Sequence, residues 1–228
     1  SGSAPLLSET FDEFLDRTGQ SILERYGMTE TNMNTSNPLM GERRAGTVGL
    51  PLPGVDVRIV DQQGVDVSNG EIGDIQVRGD NVFKGYWRMP AKTAEDLHAD
   101  GFFNTGDKGT LSEDGYVSIV GRSKDVVITG GLNVYPKEVE LIIDSLEGVK
   151  ESAVIGLPHN DFGEAVVAIV VFDNDTDHPD EEAIITILKE QIARFKVPKR
   201  VMPIKQLPRN TMGKVQKNIL RNQFCDLF

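Results

Sequence analysis

The chain has 228 residues and a net charge of −11, from 24 Lys/Arg against 35 Asp/Glu. With 39% hydrophobic and 26% charged residues it is globular in composition, long enough for one large core or two small ones. The acidic balance argues against a general nucleic-acid binder, and no apolar run approaches the length of a membrane-spanning helix. The start lacks the basic and apolar regions of a signal peptide, and Cys225 stands alone, which excludes an intrachain disulfide and makes a cytoplasmic location the expectation. His98, His159 and His178 are scattered, without metal-ligand spacing.

In chain order, Phe11, Phe14, Leu15, Ile22 and Leu23 predict a helix over Glu9–Leu23. From Gly46 to Gly121 strands dominate. Val55, Val57 and Ile59 alternate with Asp56 and Arg58, "DQQG" turns the chain, and Ile72–Val77 returns. "LSEDGYVSIV" predicts a second hairpin around Asp114-Gly115, and Pro90 opens one short helix. After Arg122 strands and helices alternate, which predicts a boundary near Lys124 and two domains, 1–123 and 124–228. "DVVITGGLNVY" predicts a hairpin turning at Gly130-Gly131. Pro136 starts a helix striped by Val139, Ile142, Ile143 and Leu146, which Gly148 ends. "SAVIGL" and "AVVAIVVF" read as strands. The acidic run Asp173–Glu182 reads as a loop into a helix with Ile185, Leu188, Ile192 and Phe195 on its buried face, Arg194 and Lys196 suiting its C-terminus.

Charge is uneven. Nine Lys/Arg and no Asp/Glu lie between Arg194 and Arg221, leaving −20 on the remainder. A basic segment on an acidic chain suggests a small polyanion, the bland alternative being a solvated face. A non-enzymatic module binding nucleic acid through it is the rival reading, but Phe195 is the only aromatic there to stack a base. Within the segment, "PRNTMGKVQ" holds a Gly-Lys pair. It is not a phosphate-cradling P-loop, because Pro208 replaces the first glycine and Val215 the magnesium-binding hydroxyl.

Four polar islands stand out: "RYGMTE" (25–30), "NTGD" (104–107), "GRSKD" (121–125) and "NTMGK" (210–214). Singly each has an ordinary reading as a capped turn, a surface ion pair or a solvated lysine. In this order and spacing they resemble the adenylate-forming superfamily of acyl-CoA synthetases, peptide-synthetase adenylation domains and luciferases. The resemblance covers the whole chain and within the superfamily is nearest the malonyl-CoA synthetases, on "ERYGMTETNMNTSNP", "GYWRMPAKT", "GGLNVYPKEVE" and "LPRNTMGKVQKN", with fatty-acid and aryl-acid CoA ligases, which share much of these stretches, as the alternative. It implies a multi-domain α+β fold: the C-terminal, β-rich part of a large N-terminal domain, then a small α+β lid domain.

The resemblance also implies roles. Gly2 and Ala4 match the strand end along the adenine, Tyr26 the aromatic on its other face, with Gly27 and Met28 in the same ATP/AMP-binding stretch. Thr29 matches the hydroxyl on the α-phosphate, and Glu30 the carboxylate that helps hold Mg2+. Asp107 matches the acid on the ribose hydroxyls, and Arg122 the arginine beside it. Lys124 falls at the hinge. Gly130 and Gly131 match the hairpin lining the coenzyme A tunnel, and Lys214 the lysine of the adenylation half-reaction. Ser1 and Met28 are candidates for the acyl pocket. The implied substrates are a small carboxylic acid, ATP and CoA, without nucleic acid. The family's Ser/Thr/Gly-rich triphosphate loop has no counterpart in these residues, so the expectation is a piece of a longer enzyme, inactive alone.

Overall fold

The computed structural model describes residues 1–2, 6, 8–173 and 178–228. The chain divides into two compact units, Ser1–Ser123 and Lys124–Phe228.

The first unit opens with helix α1 (Ser8–Thr18). It is shorter than its apolar spacing predicts. Gly19 takes φ 68° and its N–H returns to Leu15 O at 2.7 Å, the left-handed cap that closes a helix. Ile22 and Leu23 therefore lie outside it, and of its predicted stripe Phe11 is buried while Phe14 and Leu15 are exposed. Strands β1 (Arg25–Met28), β2 (Asn32–Ser36) and β3 (Leu50–Pro51) form an antiparallel sheet in that order. A four-stranded antiparallel meander follows: β4 (Val55–Val60), β5 (Gly73–Gly79), β6 (Phe103–Leu111) and β7 (Val117–Arg122).

The link from β4 to β5 is more than the tight turn predicted at "DQQG". Asp61 Oδ1 accepts from Gln63 N and Val65 N, and Val67 N returns to Ile59 O, so a small secondary loop sits before β5. The β6–β7 turn matches its prediction, with Gly115 at φ 88° and its N–H on Ser112 O. Between β5 and β6 lies α2 (Pro90–Asp96), opened by its proline. The two sheets are joined where Val48 N–H and Val117 N–H bond to Val117 O and Gly49 O, at 2.8 and 2.9 Å. Their shared core holds Val48, Ile59, Ile75, Val77 and Val117, and the Tyr26 ring belongs to it.

In the second unit, β8 (Val127–Thr129) and β9 (Leu132–Val134) form a hairpin whose turn residues Gly130 and Gly131 take φ 57° and 79°. Positive φ at both central positions is what a type I′ turn demands. Helix α3 (Pro136–Asp144) follows, then β10 (Val149–His159), β11 (Gly163–Phe172), α4 (Glu181–Gln191), β12 (Arg200–Pro203) and α5 (Lys217–Gln223). The sheet runs β10-β11-β8-β9, with β12 parallel to β11 at Val167–Val170.

Both faces of β11 are covered. Val166, Ala168 and Val170 pack with Val139, Ile143, Ile184 and Leu188 of α3 and α4. Val167, Ile169 and Val171 pack with Leu207 and Leu220 on the opposite side. A strand buried on both faces reads as an unbroken apolar run, as "AVVAIVVF" does. Asp180 caps α4 by accepting from Ala183 N at 2.8 Å. Glu181 and Glu182 thus lie in the helix, not in the predicted loop, part of which falls outside the described residues.

Candidate active site

The polar islands of the first unit lie on its hairpins. Thr29, Glu30 and Thr31 make the loop joining β1 to β2, and Asn32 beyond them sits at φ 53°, a left-handed position asparagine tolerates. Register shifts between Tyr26 and Gly27, and a Cβ on Gly27 would lie 2.0 Å from Asn32 O. Glycine there lets the strands close beneath the loop. Thr29 ends exposed at the tip, with Met28 and Glu30 half-buried.

Asp107, on β6, is 4% exposed and meets both Arg122, the arginine the resemblance sets beside it, and Tyr26, a contact the resemblance did not assign. The Tyr26 hydroxyl donates to its Oδ2 at 2.5 Å, and Arg122 Nε lies 2.8 Å from its Oδ1. Pairing of Asp107 with Arg122 across β6 and β7 sets the second contact. Thr105 completes the seat: its hydroxyl donates to Ile75 O at 2.8 Å and accepts from Asp107 N at 3.2 Å. Burial first, then the charge of Asp107, pushes the Tyr26 phenol well above its ordinary range, so it stays a donor. Each carboxylate oxygen has two acceptor positions, so these contacts are compatible with further donors.

The Tyr26 ring is only 8% exposed, so its hydroxyl link to Asp107 is the prominent contact and a base-stacking face is not broadly open. Ser1 runs beside β1: its amino group donates to Leu23 O at 2.6 Å, and its own carbonyl accepts from Arg25 N. Gly2 is exposed and next to it outside any strand, and Ala4 lies outside the described residues. Thr105, Asn81 and Tyr86 carry contacts at this site that the sequence reading missed. "GYWRMPAKT" contains Tyr86, but nothing in its spacing shows that its hydroxyl reaches Glu30 Oε1, 3.1 Å away.

Glu30, the residue the resemblance assigns to Mg2+, is half-buried with Oε1 bonded by Tyr86, and a carboxylate oxygen is a donor type that suits this cation. Mg2+ commonly takes one or two carboxylates plus substrate phosphates in place of an all-protein cage. No group of three or more His, Cys, Asp or Glu that could hold a metal occurs among the described residues.

In the second unit, Lys214 is exposed on a tight hairpin loop. Asn210 builds it: its side chain accepts from Met212 N and Lys214 N, and its backbone N–H donates to Lys214 O. Gly213 supplies φ 78°, and Arg209 braces the loop from Gly213 O to Glu151. Gly130 N–H donates to Phe162 O at 2.8 Å, which ties the glycine turn to the β10–β11 tip. Lys124 sits in a single 3-10 turn, Ser123–Asp125, where the second unit begins.

The basic segment is less available than its composition suggests. Lys196, Arg200, Arg209, Lys217 and Arg221 pair with Glu138, Glu181, Glu151, Glu140 and Asp125. Lys199 lies over the Phe162 ring at 4.6 Å. Five of the segment's nine cations are thus paired inside the unit, and Lys214 lies on the exposed loop.

Glycine-closed hairpins around a seated acid, followed by an α+β unit bearing a lysine loop, have the fold of the adenylate-forming enzymes. Residues 1–87 match the family described as AMP-binding enzyme, and residues 138–214 the AMP-binding enzyme C-terminal domain. The chain is 41% identical over 231 residues to the malonate–CoA ligase of Arabidopsis thaliana, spanning 97% of this chain and 38% of that protein. It is 39% identical over 223 residues to a long-chain-fatty-acid–CoA ligase of Yersinia pestis, spanning 97% and 39%. ATP-bound MatB from Rhodopseudomonas palustris superposes with a TM-score of 0.97 at 57% identity, over all of this chain and 45% of MatB. Apo MatB gives 0.76 at 58% identity, over 100% and 45%. This chain therefore belongs to the AMP-binding enzyme family, and it spans less than half the length of these relatives.

No helix among the described residues is long and apolar enough to cross a membrane.

Proposed function

We propose that the chain is the C-terminal part of an AMP-forming acyl-CoA synthetase, with malonate as the acid. The observation that carries the ligase reading is the seated Asp107, held by Tyr26 and Arg122 on the hairpins that also present Thr29 and Glu30. In this reading a substrate carboxylate attacks the α-phosphate of ATP and pyrophosphate leaves, forming an acyl-adenylate. The thiol of coenzyme A then attacks the acyl carbon, and AMP departs.

Asp107 accepts the ribose hydroxyls, while Tyr26 and Arg122 hold it in place. Gly2 and Ala4 run along the adenine, Tyr26, Gly27 and Met28 complete the nucleotide stretch, and Thr29 donates to the α-phosphate. Glu30 would hold Mg2+, whose chemistry is to neutralise phosphate charge. Adenylation brings two anions together, so a cation near both lowers the barrier more than a base would. Lys214 supplies it, its long stem reaching from a rigid loop. Gly130 and Gly131 leave room for the pantetheine arm, and Ser1 and Met28 border the acyl pocket.

Lys124 is the hinge in this reading. One observation favours motion in the family: the two MatB structures match this chain at 0.97 and 0.76, so they differ from each other in shape over this segment. Alternating between two arrangements lets one small domain serve two half-reactions.

Malonate rests on the Arabidopsis relative, while the Yersinia relative and an anthranilate CoA ligase of solved structure keep a fatty or an aryl acid as the alternative. The nucleic-acid-binding alternative is disfavoured by the ion pairs of the basic segment. The test is pyrophosphate release by the longer enzyme with malonate, octanoate or benzoate, and with Lys214→Ala. We expect malonate to be preferred. Lys214→Ala should cut adenylation by orders of magnitude yet spare thioester formation from supplied acyl-adenylate. Equal loss of both half-reactions overturns the role of Lys214, and preference for octanoate or benzoate overturns malonate. The 228 residues alone should form no malonyl-CoA, because they hold no triphosphate loop.

A further inference from the structure

A loop in the first unit grips the Thr29–Glu30 turn from outside its hairpin. It runs from Asn81 to Tyr86, between β5 and α2. Asn81 Nδ2 lies 2.6 Å from Thr31 O and 3.2 Å from both Met33 O and Asn34 Oδ1. Three oxygens around one atom suit the amide nitrogen, whose two hydrogens serve them. Phe83 N–H donates to Glu30 O at 2.7 Å, and the Tyr86 hydroxyl donates to Glu30 Oε1 at 3.1 Å. Both the main chain and the carboxylate of Glu30 are therefore held by the same remote loop.

The loop is itself anchored. The Phe83 ring meets Tyr86 edge-on at 4.8 Å and Phe103 at 5.3 Å. Phe103 is 1% exposed and opens β6, the strand that carries Asp107. Tyr86 N–H donates to Thr93 Oγ1 at 2.9 Å, which ties the far end to α2.

Stability alone is a poor reason for this arrangement. Thr31 and Asn34 are fully buried, yet Thr31 Oγ1, Asn34 Nδ2 and Asn81 Oδ1 find no protein partner among the described residues. Partly satisfied buried polar groups cost stability relative to apolar packing. A costly network that immobilises one carboxylate is what a supported functional site looks like.

We infer that Asn81–Tyr86 is a latch for the Thr29–Glu30 turn, and that Tyr86 is a positioning residue fixing the Glu30 carboxylate for a phosphate-bound divalent cation. This rests on the ligase reading of Glu30. With Oε1 held by the phenol, the carboxylate keeps one orientation and loses less freedom when its other oxygen meets the cation.

Tyr86→Phe in the 228-residue chain tests it, since the ring packing is kept and only the hydroxyl is lost. The readouts are amide exchange at Thr31 and Phe83, and AMP affinity by calorimetry with and without Mg2+. We expect a melting temperature near wild type, faster exchange at both amides, and unchanged affinity without Mg2+. The gain that Mg2+ gives should fall by about tenfold, the effect of losing one charged hydrogen bond. Asn81→Ala should loosen the turn further, but Tyr86→Phe decides the matter if Asn81→Ala fails to fold. Exchange and Mg2+ response equal to wild type would overturn the latch and leave the ligase reading standing. Equal loss of affinity with and without Mg2+ would reduce Tyr86 to a structural residue, which also overturns the inference. A wild-type chain without AMP affinity would overturn the ligase reading itself, and exchange would then judge the latch alone.

Discussion

The two units bury different things. Among the described residues, 21 of the 32 buried hydrophobic side chains lie in the second unit, while 8 of the 11 buried polar or charged ones lie in the first. The second is an apolar sandwich: one sheet, with Val166, Ala168 and Val170 facing one layer and Val167, Ile169 and Val171 the other. The first closes a smaller core around Ile75 and Val77 and fills the rest with Thr31, Asn34, Thr35, Asn37, Thr105 and Asp107. Apolar burial makes a body that holds itself together, and polar burial fixes loops in one geometry. The contrast suits the proposed division between a self-supporting lid and a unit that seats the nucleotide.

The sharpest way to break that contrast is to open the apolar core. Leu188 is fully buried on α4, and Leu188→Ala should cost about 4 kcal/mol from lost transfer energy and a residual cavity. Hydrogen exchange should show β10 and β11 losing protection while β4–β7 keep theirs. Simultaneous loss in both units would show that they fold as one body.

The next effect separates packing from charge within the second unit. Glu140 is 8% exposed and accepts from Val154 N at 2.9 Å and from Lys217 Nζ at 2.6 Å. Lys217→Met leaves that carboxylate without its cation and should cost about 3 kcal/mol. Adding Glu140→Gln should recover much of it, and denaturant midpoints of the single and double variants measure the recovery. A single variant as stable as wild type would show that the pair contributes nothing.

A smaller effect sharpens the first unit's side of the comparison. Thr105→Val keeps the shape but removes the hydroxyl between Ile75 O and Asp107 N, for about 1.5 kcal/mol. AMP affinity should fall as well, because Asp107 loses part of its seat. Ser152→Ala, which removes a hydroxyl bonded to Asp144 in the second unit, should cost a similar amount and leave AMP affinity alone. Equal effects of the two on AMP binding would erase the functional contrast.

How well each unit could be read from sequence follows from the same difference. Continuous apolar runs and striped helices mark β10, β11, α3 and α4, and the Gly130-Gly131 turn has a chemical signature, so these elements are legible. Helix α1 was over-extended because Ile22 and Leu23 keep the spacing, whereas Gly19 at φ 68° ends the helix before them. The site was legible where motif residues pair across adjacent strands, as Asp107 and Arg122 do. It was not legible where side chains reach across distant loops. Asn81 and Tyr86 find the Thr29–Glu30 turn through hydrogen bonds that no periodicity encodes. The ion pairs of the basic segment were hidden for a similar reason, since its acidic partners come from α3, α4, β10 and the 3-10 turn at Asp125.

The smallest predicted effect concerns a polar group in the apolar unit. Asp144, half-buried at the end of α3, has its pKa raised, chiefly by burial, with Glu140 adding to the rise. The Ser152 hydroxyl, 2.6 Å from Oδ1, and Lys137 oppose it without cancelling it. A carboxyl whose folded pKa lies above its unfolded value favours the folded state while it is protonated. As pH rises through the unfolded value of about 3.9, the unfolded chain releases its proton first, and stability falls until the folded pKa is passed. Above that window the penalty is constant. Asp144→Asn keeps an oxygen for Ser152 and carries no charge, so it should stabilise the unit at neutral pH. Partial exposure screens the charge, so the gain should be on the order of 0.5 kcal/mol. Below about pH 4 the variant and wild type should converge, as both then carry a neutral group. Urea midpoints of the two proteins from acid to neutral pH check this. A variant that is less stable than wild type at neutral pH would mean that the ionised carboxylate is better accommodated by Ser152 and Lys137 than its burial implies.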